Sequence, residues 1–176
     1  MNTFDAILNR RSIRKFLNEK IDDEIIIKII EAAMYAPSAR NYQPWQFIII
    51  YDRQILNSIA EFHPYAQMLK DAPLAILVCG DTRIEPSAEY LALNCAAATQ
   101  NILLSSFEFG LGSVWIGIYP KPERISETRK IINLPTEIMP ISLVAIGKSG
   151  EKKNRPQRFR GDRIYKNTWG EKFLIE

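Results

Sequence analysis

The chain has 176 residues, 47% of them apolar and 24% charged, the proportions of a single globular domain over residues 1–176 and not of a disordered or fibrous chain. Its net charge of +3 is too small for a nucleic-acid footprint unless it is concentrated on one face. Cys79 and Cys95 stand alone without CxxC spacing, which excludes a disulfide framework and reads as two buried thiols in a reducing compartment.

The first residues, Asn2-Thr3-Phe4-Asp5 after Met1, lack the basic and apolar regions of a signal peptide. No apolar run approaches the roughly 20 residues of a membrane span. A cytoplasmic protein is the expectation.

A first helix is predicted from Phe4 to Asn9, with Thr3 as N-cap and Asp5 in the first turn, where a negative charge suits the helix dipole. Asp22 caps a second helix whose inner face is Ile25, Ile26, Ile29, Ile30 and Ala33, and Pro37 ends it. Phe47 to Ile50 reads as a buried strand between Pro44 and Asp52, and Leu74 to Cys79 repeats the pattern after Pro73. Pro86 to Phe109 is a long helical stretch with Leu91, Cys95, Ala98 and Ile102 in line. It is nearly apolar all round, so it should be enclosed by its own domain or by a partner. Gly110 and Gly112 stop it; Ser113 to Ile118 is a third strand, Pro122 opens a helix to Ile132, and Ile141 to Ile146 is a fourth strand. The tail, 148–176, is polar and basic but carries Phe159, Tyr165, Trp169 and Phe173, and is expected to lie extended against another surface. Alternating strands and helices give an α/β (α+β) class, with helices flanking a mixed sheet whose strand order the pattern does not fix.

Side-chain catalysis finds little support. His63, the one histidine, sits beside Pro64 and reads as a surface or turn residue, and no Ser/His/Asp set can be completed around it. HExxH, DxDxDG and paired CxxC motifs are absent, as are GxxxxGK[ST] and GxGxxG. Enzymatic chemistry here would come from something other than the side chains.

Two segments are better suited to a ligand. In an extended run Arg10, Ser12 and Arg14 share one side, and two guanidinium forks with a hydroxyl suit an anionic, planar, oxygen-rich molecule. Read alone, the run is also a solvated basic turn. In Ala36 to Trp45, two prolines fix a loop that offers Ser38, Asn41 and Gln43 beside the apolar wall of Trp45. That composition fits a cofactor pocket or a tight turn.

Arg10-Arg11-Ser12-x-Arg14, followed by Pro37-Ser38-Ala39-x-Asn41-x-Gln43-Pro44-Trp45, resembles the paired hallmark of the nitroreductase family. Lys70-Asp71-Ala72-Pro73, the stretch from Gly110 to Gly117, and Asn133-Leu134-Pro135 agree in order and spacing, so the resemblance spans residues 3–169.

The resemblance implies a nitroreductase-like fold with a mostly antiparallel central sheet, a homodimer with two FMN sites across its interface, and a tail reaching the partner subunit. It places Arg10 and Ser12, with Arg11 beside them, at the FMN phosphate and Arg14 at the pyrimidine edge. Pro37, Ser38, Ala39, Asn41 and Gln43 would come from the other subunit. Trp115, Ile116 and Gly117 would lie at the inner flavin face, with a backbone N–H available there, and Gln67 and Lys70 would reach the ribityl or flavin edge. In the tail Arg158 would bind phosphate, assisted by Arg155 or Arg160, although Pro156 stands where family tails often carry a basic residue.

The implied reaction is hydride transfer from NADH or NADPH to flavin and on to a nitroaromatic, quinone or similar acceptor by a ping-pong cycle, with no catalytic side chain and no metal. The chain lacks the extra helices of longer members, which implies a more open pocket. Flavin or enoate reduction and reductive dehalogenation are alternatives on the same fold, and a non-enzymatic anion- or nucleic-acid-binding domain is a third reading.

Overall fold

Two runs dominate the architecture, 74–79, apolar at every position, and 141–146, apolar except for Ser142, because strands so apolar have to be covered on both faces. In the computed structural model, which describes residues 2–173, the strands are β1 (Trp45–Ile50), β2 (Leu74–Asp81), β3 (Gly112–Gly117) and β4 (Ile138–Gly147). They form one sheet in the order β1-β2-β4-β3, which puts the two apolar runs in the middle. All three ladders are antiparallel. Among the described residues the parallel pairing is confined to a bridge between Ser12 and Ser113, so the sheet is less mixed than expected. Residues 174–176 of the tail lie outside the described residues, as does Met1.

The helices are α1 (Thr3–Asn9), α2 (Asp23–Met34), α3 (Arg53–Phe62), α4 (Ala88–Glu108) and α5 (Pro122–Ile132). Side-chain alternation sorts the core onto two faces. Leu74, Ile76, Val78, Val144 and Ile146 pack against Ile26 and Ile29 of α2 and Cys95, Ala98 and Ile102 of α4. Ala75, Leu77, Cys79, Leu143 and Ala145 pack against Leu56 and Ile59 of α3, with Ile125 and Ile132 of α5 closing the layer. No helix among the described residues is long and apolar enough to cross a membrane.

Several local expectations need correction. The cap of α1 is Asn2, whose Oδ1 accepts the Asp5 amide at 2.9 Å, and Thr3 is the first helical residue. Helix α3 has no counterpart among the predicted elements, although Asp52 caps it by accepting the amides of Gln54 and Ile55. Trp45, expected as an apolar pocket wall, is the first residue of β1 and is buried in the core on the α2/α4 side. His63 does end a helix, but it is buried, with 1% of its surface exposed. The expectation for α4 stands: it is enclosed by its own chain on the side facing the sheet and α2, and Leu93 on its outer side is 65% exposed.

Candidate functional site

The chain leaves α1 in extended form and runs beside the start of β3. The Ile13 amide donates to the Ser113 carbonyl at 3.0 Å, next to the Ser12–Ser113 bridge. Gly112 allows this approach, since a Cβ there would come within 2.9 Å of the Ile13 side chain. Ile13 and Phe16 fasten the segment into the core.

Fastening leaves Arg10 and Ser12 together, with Arg10 Nη2 donating to Ser12 Oγ at 3.4 Å. Arg10 and Arg11 line a hollow of about 330 Å³ with Lys152, Lys153 and Arg155; Glu151 also borders it. Arg11, Arg155 and Arg158 line a second hollow of about 830 Å³. Burial, and then Arg158 and Arg11 nearby, push the Arg10 guanidinium below its ordinary value. An arginine stays charged through such shifts, so the cluster holds unrelieved repulsion that an anion would relieve. Arg10 Nε is also buried with no hydrogen-bond partner. Arg11 is differently employed. Its Nε, Nη1 and Nη2 donate to the carbonyls of Asn154, Arg10 and Leu8 at 3.1, 2.5 and 2.9 Å.

Arg14 belongs to another hollow, of about 450 Å³, which it shares with Gln67, Trp115, Ile116 and Gly117. Its backbone amide donates to Glu151 at 2.5 Å. This part of the outer edge of β3 lies beyond the Ser12–Ser113 bridge. Gly117 has nothing within 4 Å of where a Cβ would stand, so its backbone is bare toward open space. His63 and Arg124 line the same hollow and both bond to the Gly117 carbonyl. Gln67 is held by donating to the Ala60 carbonyl at 2.6 Å. Lys70 is exposed and lies outside the residues lining this hollow; its carbonyl is one of three, with those of Leu69 and Ala72, that accept from Arg53.

The loop 37–43 lines none of these three hollows. Its backbone is left-handed at Arg40, Asn41 and Gln43, with φ of 54°, 58° and 49°. Three such non-glycine residues so close together need outside support, and they tend to cluster at functional sites. Ser38 Oγ accepts the Gln43 amide at 3.0 Å, Gln43 Nε2 donates to Asn41 Oδ1 at 2.8 Å, and Asn94 of α4 accepts the Ala39 amide at 2.9 Å. Pro37, Asn41 and Gln43 are thereby presented on the surface.

The tail presents as well. Phe159 is 74% and Trp169 87% exposed, the latter stacked on Tyr165 at 4.4 Å. Arg160 is paired with Asp162 at 2.9 Å, which leaves Arg155 and Arg158 as the tail arginines that border the basic hollow.

His63, Asn94 and Arg124 were missed as members of the site. For Asn94 a signal existed, an amide three residues after Leu91 in an otherwise apolar stripe. For His63 and Arg124 there was none, because the atom that they share is a backbone oxygen.

The sequence matches the Nitroreductase family over residues 7–66 and 63–148. It is 40% identical over 169 residues to a Methanothermobacter thermautotrophicus protein provisionally named NADH dehydrogenase/NAD(P)H nitroreductase, covering 96% of this chain and 88% of that one. A Parabacteroides distasonis crystal structure under the same provisional name is similar with a TM-score of 0.92 at 42% identity, covering 96% of this chain and 100% of that one. A provisionally named nitroreductase from Desulfovibrio desulfuricans, solved in complex with FMN, gives a TM-score of 0.82 at 26% identity, covering 96% and 98% of the two chains.

Proposed function

The chain belongs to the nitroreductase family, a family of oxidoreductases, and from that membership we propose that it is an FMN-dependent NAD(P)H oxidoreductase acting as a homodimer. The observation that carries the reading is that Arg14 and the bare backbone of Gly117 line one hollow, while Arg10 holds a buried and unpartnered Nε beside Arg158. The residues fit the cofactor: a planar ring can lie where a side chain at 117 would stand, and a phosphate offers the acceptor that Arg10 lacks.

FMN, when bound, would supply the redox chemistry, a ping-pong transfer of a hydride from NADH or NADPH and on to a nitroaromatic, quinone or similar acceptor. Arg10, Ser12 and Arg158 hold the phosphate, with Arg155 adding charge; Arg11 braces the turn through its three carbonyl contacts. Arg14 sits at the pyrimidine edge, where a cation favours the more negative, reduced state. Trp115, Ile116 and Gly117 would border the inner face and Gln67 the ribityl edge, while Lys70, outside the lining of this hollow, would reach the ribityl or flavin edge only through its long side chain. Pro37, Ser38, Ala39, Asn41 and Gln43 are supplied by a second copy. The exposure of Pro37, Asn41 and Gln43 on this chain supports that role, as do the exposed aromatics of the tail. Free buried thiols at Cys79 and Cys95 suit the reducing cytoplasm.

An absorbance spectrum of the purified protein tests the reading. A yellow protein with a blue absorption band is expected, with parallel double-reciprocal plots when NADH or NADPH is varied against a quinone. A colourless protein that refuses added FMN overturns it. Sedimentation of a folded monomer that keeps its flavin on dilution would remove the shared site.

A further inference from the structure

The Gly117 carbonyl accepts two hydrogen bonds, from His63 Nε2 at 2.9 Å and from Arg124 Nη1 at 2.9 Å. His63 Nδ1 accepts the Tyr65 amide at 3.2 Å. With Nδ1 an acceptor, the proton of a neutral imidazole resides on Nε2, so His63 is the donor to Gly117. A carbonyl has two lone pairs, and here both are engaged. His63 ends α3, Gly117 ends β3 and Arg124 lies in the first turn of α5, so one oxygen ties three elements together.

Register against β4 already holds 112–117 in place. A buried imidazole and a guanidinium on one oxygen exceed what ending a strand requires. The fastening falls on the backbone that is bare toward the hollow, and all three residues line that hollow with Arg14. Neither ring nitrogen of His63 is free to exchange protons with a ligand, which argues against acid–base work. Burial first, and Arg124 as well, push the imidazole below its usual range and keep it neutral.

We propose that His63 and Arg124 are positioning residues that hold the Gly117 peptide rigid against the isoalloxazine, and thereby set the affinity and redox poise of the flavin. The inference rests on the flavin reading above.

Wild-type protein and the variants His63→Leu, His63→Gln and Arg124→Met are titrated with FMN by fluorescence quenching, and the midpoint potential of each loaded protein is measured. Expected are folded His63→Leu and Arg124→Met proteins that bind FMN weaker by about tenfold or more, with displaced potentials. His63→Gln, whose amide can reach the same carbonyl, is expected to return both values toward wild type. Without flavin, the Gly117 carbonyl carbon resonance should move in the Leu and Met variants and stay near its wild-type position in the Gln variant.

A wild-type protein that binds no FMN sinks the flavin reading and this inference with it. A wild type that binds FMN, beside folded His63→Leu and Arg124→Met variants of unchanged affinity and potential, overturns the inference alone. Equal losses in the Leu and Gln variants would mark a packing role and overturn it for His63. Should His63→Leu fail to fold, the half-buried Arg124 provides the test by itself.

Discussion

Asn94 Oδ1 accepts the Ala39 amide at 2.9 Å and so joins the buried side of α4 to the loop after α2, 55 residues away in the chain. The Asn94 side chain is otherwise unassisted, since its buried Nδ2 has no partner. The loop is left-handed at Arg40, Asn41 and Gln43, and this bond helps to offset that strain from outside the loop. Asn94→Leu is therefore expected to cost about 1–3 kcal/mol in urea unfolding and to speed hydrogen exchange at the Ala39 amide. Exchange at wild-type rates would show that the loop holds its shape without α4.

Arg10 and Arg11 are neighbours with opposite expected phenotypes. Arg10 has an orphaned Nε beside Arg158, whereas the three nitrogens of Arg11 are committed to backbone carbonyls. Arg10→Ala should weaken FMN binding by about 1.5–3 kcal/mol, the worth of one charge-assisted contact, with little loss of stability because a crowded cation has gone. Arg11→Ala should lower the unfolding midpoint while retaining most of the FMN affinity. Equilibrium FMN titration and urea unfolding of both variants would reveal a reversed order.

His63 gives the protein an isolated pH response. Its folded pKa lies below the unfolded value of about 6.5, so between the two the unfolded chain binds the extra proton. Stability from this group is full above about pH 6.5 and is lost as pH falls through the folded pKa, with a slope of at most about 1.4 kcal/mol per pH unit for one proton. Arg83 at Asp81, the Arg14 amide at Glu151 and Arg160 at Asp162 hold those carboxyls below their usual range, so their losses come at lower pH. The chain has one histidine. Urea midpoints taken from about pH 8 down to about pH 5 should fall for wild type and stay nearly level for His63→Gln. Parallel curves would mean that another group carries the response.

Features that depend on neighbours in sequence were legible. Pro122 at the first position of α5 opens the helix where expected, and the run through Leu77 becomes an inner strand buried at every position. What failed depended on parity or on distant partners. Trp45 alternates with Phe47 and Ile49 toward α2 and α4, yet its neighbours in the loop suggested a pocket wall. Asp52 bounds the β-prone run of β1 and at the same time caps α3, so a residue that closes one element masks the start of the next. Arg10, Arg11 and Arg14 look alike in sequence. The fold alone separates a guanidinium with an orphaned Nε, a brace and a cavity wall, because their differences lie in the carbonyls of residues 8 and 154 that hold Arg11, the Glu151 carboxylate that holds the Arg14 backbone, and the lack of any such partner at Arg10 Nε.

Gly112 and Gly117 bound the same strand and should respond to alanine in opposite ways. At Gly112 an added methyl would meet Ile13 Cβ and Cγ2 at 2.9 Å, both near the backbone and unable to swing aside. Gly112→Ala is expected to cost about 1–3 kcal/mol, as overpacking does, and to displace the segment that carries Arg10 and Ser12. At Gly117 the methyl meets nothing within 4 Å, and φ there is not positive, so Gly117→Ala should unfold at nearly the wild-type urea concentration. Its methyl would instead occupy space beside Arg14, which the flavin reading assigns to the ring, and FMN affinity should fall by about tenfold or more. Full FMN affinity in a stable Gly117→Ala protein would place the ring elsewhere. A fully stable Gly112→Ala protein would mean that Ile13 can yield, and that the N-terminal segment is held on β3 less tightly than its contacts indicate.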